Sequence, residues 1–183
     1  MLIRRLVPAD AAAYRALMLV AYERHPDAFT STVEERAGLP LAWWENRIAD
    51  GDGADELVFG AFDGERLIGA AGLSFAKRPK ERHKAKLFGM YVDPAARQGG
   101  AGRRLVEAVL AAARMRAGVK LVQLTVTDGN TAAQKLYERC GFVPFGIEPQ
   151  AVAVGDRLVA KLHMWRELCR KPHGDAPPMR KTP

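Results

Sequence analysis

An apolar run ending in Met90, Tyr91 and Val92 stops at Asp93 and Pro94. A glycine-bearing stretch follows, Ala95-Ala96-Arg97-Gln98-Gly99-Gly100-Ala101-Gly102, and an alanine- and arginine-rich helical pattern opens at Arg103 and Arg104. This strand–loop–helix junction constrains the chain more than any other feature. A tight glycine turn there aims the backbone N–H groups of Gln98 to Arg103 at one point, where the helix dipole is positive. Such a geometry holds phosphate without a metal or a lysine. Glycine at 100 and 102 lets the backbone come close to a ligand and take positive φ without steric cost. The chain is therefore expected to bind a phosphorylated cofactor.

What the loop lacks narrows the cofactor. A P-loop needs a lysine and a hydroxyl after its last glycine, and neither follows Gly102. A dinucleotide fingerprint needs glycine or alanine where Leu105 stands, and an acid about twenty positions on. There the chain reads Leu121, Val122 and Gln123. What remains is Arg97-x-x-Gly100-x-Gly102, and this resembles the acyl-CoA pyrophosphate loop of the GNAT superfamily of N-acetyltransferases. A second segment, Asn130-x-x-Ala133-x-x-Leu136-Tyr137-x-x-x-Gly141-Phe142, is similar to a further signature of that family. The two occur in the family's order, separated by one helix and one strand.

Periodicity predicts a strand at 2–6 and a helix at 8–25, with Tyr14, Leu17, Met18, Ala21 and Tyr22 on its apolar face. A weaker helical stretch begins at Thr32, and another helix carries Leu41, Trp44 and Ile48. Strands at 56–62 and 66–75 flank Asp63-Gly64-Glu65, a hairpin signal. A strand at 82–92 leads into the loop. A helix follows and ends near Gly118, then come a strand at 119–127, a helix at 131–140 and strands at 142–147 and 152–165. The resemblance implies the GNAT fold, a mixed α/β architecture ordered β-α-α-β-β-β-α-β-α-β-β. It has a twisted, mostly antiparallel sheet of about seven strands with helices on both faces. The domain is expected to span 1–166.

The 183 residues are 48% hydrophobic and 27% charged, which suits one soluble domain. Of the net charge of +7, the segment from Arg166 carries +3, with five basic and two acidic residues. Residues 167–183 read as a basic, disordered tail, so the charge balance needs no nucleic-acid partner. The basic run from Lys77 to Lys86 reads as a solvated connection, because no aromatic residues interleave with it. No apolar run reaches membrane-span length and no signal-peptide pattern opens the chain. Cys140 and Cys169 form no metal spacing. The expected setting is cytoplasmic, with no metal and no membrane.

The resemblance implies acetyl transfer from acetyl-CoA to an amine by direct attack. Tyr137 is then the general acid to the departing CoA thiolate; from its position alone it could equally be a packed core tyrosine. Backbone atoms of Met90, Tyr91 and Val92 would bind pantetheine. Arg97, Gln98, Gly99, Gly100, Ala101, Gly102 and Arg103 would bind the pyrophosphate, with Asn130 beside the cofactor or serving only as a helix N-cap. No carboxylate stands at 87–90, and no general base is assigned. Glu23, Glu34, Glu35, His25 and His83 are candidates by chemistry alone. Cys140 reads as a buried apolar residue. In the last hairpin, Gly155-Asp156-Arg157-Leu158-Val159-Ala160-Lys161 lacks the tyrosine and acids that relatives carry, and a lysine at 161, where an acid is usual, favours an anionic acceptor. The expected partners are acetyl-CoA and an amine acceptor, with a second copy of the chain left open and Trp43 able to line either a pocket or a dimer face. A non-catalytic acyl-CoA-binding or sensing module is the alternative.

Overall fold

Short-range signals set the chain's first elements. The structure, a computed structural model, describes residues 1–168 other than Asp50 and Asp52. The side chains of Arg97 and Gln98, Cys169 and the rest of the expected tail lie outside the described residues. Strand β1 (Leu2–Arg5) leads to a 3-10 turn, Pro8–Asp10, that opens helix α1 (Ala11–Arg24). Pro8 suits this first turn because its missing N–H would have no helical acceptor. Asp10 accepts the Val7 N–H at 2.9 Å and both ends of the Arg4 guanidinium at 2.7 Å. A capping box then starts α2 (Val33–Ala37). The Glu35 N–H donates to Thr32 Oγ1 at 3.2 Å, and the Thr32 N–H donates to the Glu35 carboxylate at 2.9 Å. Helix α3 (Leu41–Arg47) follows Pro40 and buries Trp44 completely.

The remaining elements are β2 (Glu56–Asp63), β3 (Arg66–Phe75), β4 (Lys84–Val92), α4 (Ala101–Met115), β5 (Leu121–Thr127), α5 (Thr131–Arg139), β6 (Val143–Val154) and β7 (Arg157–Glu167). They form one seven-stranded sheet in the order β1-β2-β3-β4-β5-β7-β6. Every neighbouring pair is antiparallel except β4 and β5. One face is covered by α4 and α5, where Leu105, Val109, Leu110, Tyr137 and Phe142 meet Leu73, Leu124 and Met164. The other carries α1 and α3, where Tyr14, Met18, Trp44 and Ile48 meet Val58, Phe62 and Tyr91. This is the expected fold, with the N-terminal helical region divided in three because α2 is a separate turn. Leu168, just beyond β7, is buried and its N–H donates to the Lys120 carbonyl at 2.8 Å.

The last hairpin differs from the expectation of strands at 142–147 and 152–165. β6 runs unbroken to Val154 and turns at Gly155, which has φ 57°. Residues 148–151 form an irregularity inside the strand, with a register shift between Glu148 and Val152 and φ 53° at Gln150. β6 lies at the edge of the sheet, so Pro144 and Pro149 need not supply N–H groups to a second neighbour. The basic connection is solvent-facing as read. It holds a short turn at Pro79–Glu81, and Lys77 and Lys84 pair with Asp55 and Glu81 at 2.5 and 3.6 Å.

Candidate active site

The parallel pair in the sheet is short. β4 meets β5 only at Lys84–Leu121, Ala85–Val122 and Lys86–Gln123. β5 then follows β7 along its whole length to Thr127, so the two strands part beyond Lys86. Met90, Tyr91 and Val92 all lie past the last shared pair. A bulge enlarges the gap: Ala70 pairs with Tyr91 but Gly72 pairs with Phe88, leaving two β4 residues opposite Ala71. One of them, Gly89, has φ 59°, which glycine takes without strain. An isolated glycine within a strand pattern signals such a bulge, but the reading of the sequence passed over it.

The gap is a cleft of about 170 Å³. Leu87, Phe88, Gly89 and Met90 form its β4 wall, and Thr125, Val126 and Thr127 its β5 wall. Asn130, Ala133 and Tyr137 close it from α5, and Ala28, Phe29 and Thr30 close it from the loop after α1. Met90, Asn130 and Tyr137 are thus brought together. The side chains of Tyr91 and Val92 are not part of this lining; each is buried in the core, on opposite faces of the sheet.

At the end of β4 the Asp93 carboxylate accepts the Ala95 N–H at 3.1 Å and caps the 3-10 turn Pro94–Gly99. That bond, with Arg66 at 2.5 Å, holds the Asp93 carboxyl below its usual range. Gly100 then turns into the left-handed region at φ 72° and α4 begins at Ala101. The first helical bond runs from the Arg104 N–H to the Gly100 carbonyl at 3.1 Å. The amides of Ala101, Gly102 and Arg103 therefore have no acceptor within the helix. The two loop glycines serve different ends. A Cβ at Gly100 would meet nothing within 4 Å, so glycine is needed there for its backbone angle. A Cβ at Gly102 would stand 3.2 Å from Leu136 and 3.3 Å from Met90, so glycine lets α4 lie close to α5 and to the cleft wall. Arg103 points outward and pairs with Glu107 at 2.7 Å.

Tyr137 is buried, with its ring edge-on to Phe142 at 5.9 Å. Burial first, and then the neighbouring Cys140, push its phenol well above the usual range, so it keeps its proton at neutral pH. Asn130 Oδ1 accepts the Ala133 N–H at 3.1 Å, so the N-cap role is met while the residue also borders the cleft. Cys140 is buried and its thiol is raised chiefly by that burial, which suits an inert apolar residue. Glu23, Glu34, Glu35, His25 and His83 do not line the cleft. No group of metal-ligating side chains occurs among the described residues. The residue that the reading of the sequence weighed only as a replacement for an acid is Lys161, which lines the cleft and is 4% exposed. A lysine inside the apolar alternation of β7 was the available signal.

The acetyltransferase (GNAT) family model matches residues 18–142. The chain belongs to this family. The matched span of this GNAT chain runs from within α1 to Phe142, and so contains the loop, the cleft walls and α5. A mycothiol acetyltransferase of Salinispora tropica is 31% identical over 135 residues, which cover 73% of this chain and 41% of that protein. A ribosomal protein bS18-alanine N-acetyltransferase of Haemophilus ducreyi is 30% identical over 108 residues, covering 59% and 70%. The chain spans about two fifths of the length of the first mycothiol acetyltransferases it matches. Among solved structures, a ribosomal-protein-alanine N-acetyltransferase from Brucella melitensis superimposes with a TM-score of 0.75 at 29% identity, covering 91% of this chain and 99% of that one. No helix among the described residues is long and apolar enough to cross a membrane.

Proposed function

We propose that this protein moves an acetyl group from acetyl-CoA to the primary amine of a small molecule or a protein, by direct attack in a ternary complex. The observation that carries the reading is the cleft between the parting strands. Its lining meets the buried, protonated Tyr137, and Met90 of its wall lies against Gly102 in the first turn of α4. Family membership supports the same chemistry, as do relatives named mycothiol acetyltransferase and ribosomal protein bS18-alanine N-acetyltransferase.

The cofactor's pyrophosphate rests on the loop amides from Gln98 to Arg103, of which those of Ala101, Gly102 and Arg103 have no helical acceptor, and the helix dipole there favours an anion. Arg97 stands at the start of that loop. Pantetheine runs along Met90, Tyr91 and Val92, adding a strand-like partner to the edge that β5 leaves. Asn130 borders the same path. As the amine attacks, the thioester C–S bond breaks and charge gathers on sulfur. Tyr137 acts as the general acid there. The thiol of CoA titrates near pKa ~8.5, below the raised phenol, so a hydrogen bond held on the thiolate comes before any full proton transfer. No base is assigned, and the amine's proton leaves to water. The test is CoA thiol release by the purified protein on addition of amines. Release that depends on both substrates supports the reading; acetyl-CoA binding without release from any amine overturns it.

One observation favours a second reading. The cleft lining holds Lys86 and Lys161 and no carboxylate or histidine. A non-catalytic acyl-CoA sensor would need the loop and the cleft but no base. The thiol-release assay separates the two.

A further inference from the structure

Among the described residues two polar side chains are buried in the core, Thr127 at 5% and Lys161 at 4% exposure. They face each other on β5 and β7. An ammonium withdrawn from water is costly unless its protons find acceptors. Lys161 Nζ donates to Thr127 Oγ1 at 2.7 Å, to the Asp27 carbonyl at 2.8 Å and to the Ala28 carbonyl at 3.3 Å. The Thr127 hydroxyl in turn donates to the Asp27 carbonyl at 2.7 Å. All three ammonium protons thus have acceptors, and two of those acceptors are backbone carbonyls more than a hundred residues away in sequence. Burial lowers the Lys161 pKa, and the nearby Asp27 charge opposes that shift.

The held segment is the loop that follows α1 and closes one side of the cleft. Ala28, Phe29 and Thr30 form the wall on the side of the sheet away from α4 and α5. Within it the Ala28 N–H donates to the His25 carbonyl at 3.0 Å, and the Phe29 ring stands edge-on to Tyr22 at 5.0 Å. On the acetyltransfer reading, the cofactor comes from the α4 side and the amine from this one. A few tenths of an ångström in this wall would alter how the amine meets the thioester.

We propose that Lys161, through Thr127, is a positioning residue that straps residues 27–28 across the ends of β5 and β7 and so sets the acceptor wall of the cleft. Its kinetic consequence rests on the acetyltransfer reading; the strap itself does not.

The experiment compares Lys161→Met, Thr127→Val and Thr127→Ser with the native protein. Amide hydrogen exchange is read over residues 27–31, against Val122 and Leu124 as core references. Kinetics use alaninamide, glucosamine and spermidine as probe amines, and acetyl-CoA affinity is measured by calorimetry. Lys161→Met and Thr127→Val should raise exchange in the loop alone. They should raise KM for the accepted amine about tenfold, since misplacement of a reactant by an ångström costs up to about a hundredfold. Acetyl-CoA affinity should stay within about twofold, and Thr127→Ser, which keeps the hydroxyl, should stay close to native. Unchanged loop exchange in both impaired variants overturns the strap. Equal losses in amine KM and acetyl-CoA affinity overturn the acceptor-wall role. If Lys161→Met does not fold, Thr127→Val against Thr127→Ser decides alone. Faster loop exchange in a protein that acetylates none of the amines would leave the strap standing and count against the acetyltransfer reading.

Discussion

At residue scale the cleft turns on single atoms. Tyr137→Phe removes one hydroxyl and leaves the ring against Phe142. It should lower kcat about a hundredfold, the scale of general acid catalysis, with acetyl-CoA affinity unchanged by calorimetry. Because burial raises the phenol's pKa, native Tyr137 stays protonated through neutral and mildly alkaline pH. Any fall in kcat on the alkaline side below about pH 10 should therefore persist in the Phe variant. Gly102→Val carries a different cost. Its Cβ would press on Leu136 and Met90, so both the approach of α4 and the amides it presents should shift. We expect acetyl-CoA affinity to fall at least about tenfold, roughly 1.4 kcal/mol, with the far-ultraviolet circular dichroism spectrum retained. Native affinity in that variant would remove Gly102 from the site.

At the scale of elements, stability and function depend on helix starts. Asp10 opens α1 by accepting from Val7 and from Arg4. The Arg4 hydrogen bond is the main reason its carboxyl lies below the usual range, with the Val7 N–H adding to it. The folded pKa is lower than the unfolded one, so Asp10 contributes stability above about pH 4 and loses it as pH falls through the folded value. Asp10→Asn should cost about 1–2 kcal/mol at neutral pH, where the bonds are charge-assisted. The thermal melts of the two proteins should differ at about pH 6 and draw together only as pH falls below about 4, toward the lowered folded value. A gap constant with pH would mean that Asp10 acts by shape alone. The start of α4 uses no side-chain cap; Gly100 provides the backbone turn, and the amides of Ala101, Gly102 and Arg103 are left without a helical acceptor.

Across the whole molecule, the parting of β4 and β5 joins both faces of the sheet through one opening. On the proposed function, acetyl-CoA bound there would touch α4, α5 and β4 at once, so it should stabilise the folded chain as a unit. At about a hundred times its dissociation constant, a ligand adds about 2.7 kcal/mol. For a domain of this size that corresponds to a rise of roughly 5–10 °C in Tm. Coenzyme A lacking the acetyl group should give most of the shift, since the pyrophosphate amides and the pantetheine edge are unchanged. No shift with either would refute the cleft as the cofactor site.

The local chemistry was legible along the chain because its signals are short. Gly100 and Gly102 ahead of an alanine-rich helix marked an N-terminus stripped of side-chain obstruction. Ala133, Leu136, Tyr137 and Cys140 share a helical face, which turned Tyr137 inward, and Asp63-Gly64-Glu65 marked the β2–β3 hairpin. Strand count and helix placement followed from periods of two and 3.6 residues. The last hairpin misled because Pro149 and Gln150 look like a turn; only pairing with β7 keeps β6 continuous through them. Other features have no local signal at all. Nothing near Lys86 says that β5 will leave β4 after three pairs to follow β7. Nothing near Lys161 says that its ammonium will reach Asp27 and Ala28, and nothing near Gly102 says that a side chain there would press on Leu136 and Met90. Side-chain alternation is written into neighbouring residues, so the sequence by itself determined the elements, the glycine turn that opens α4 and the inward Tyr137. Strand order, register and the partners of a buried cation depend on segments far apart in the chain, and only tertiary packing decided those.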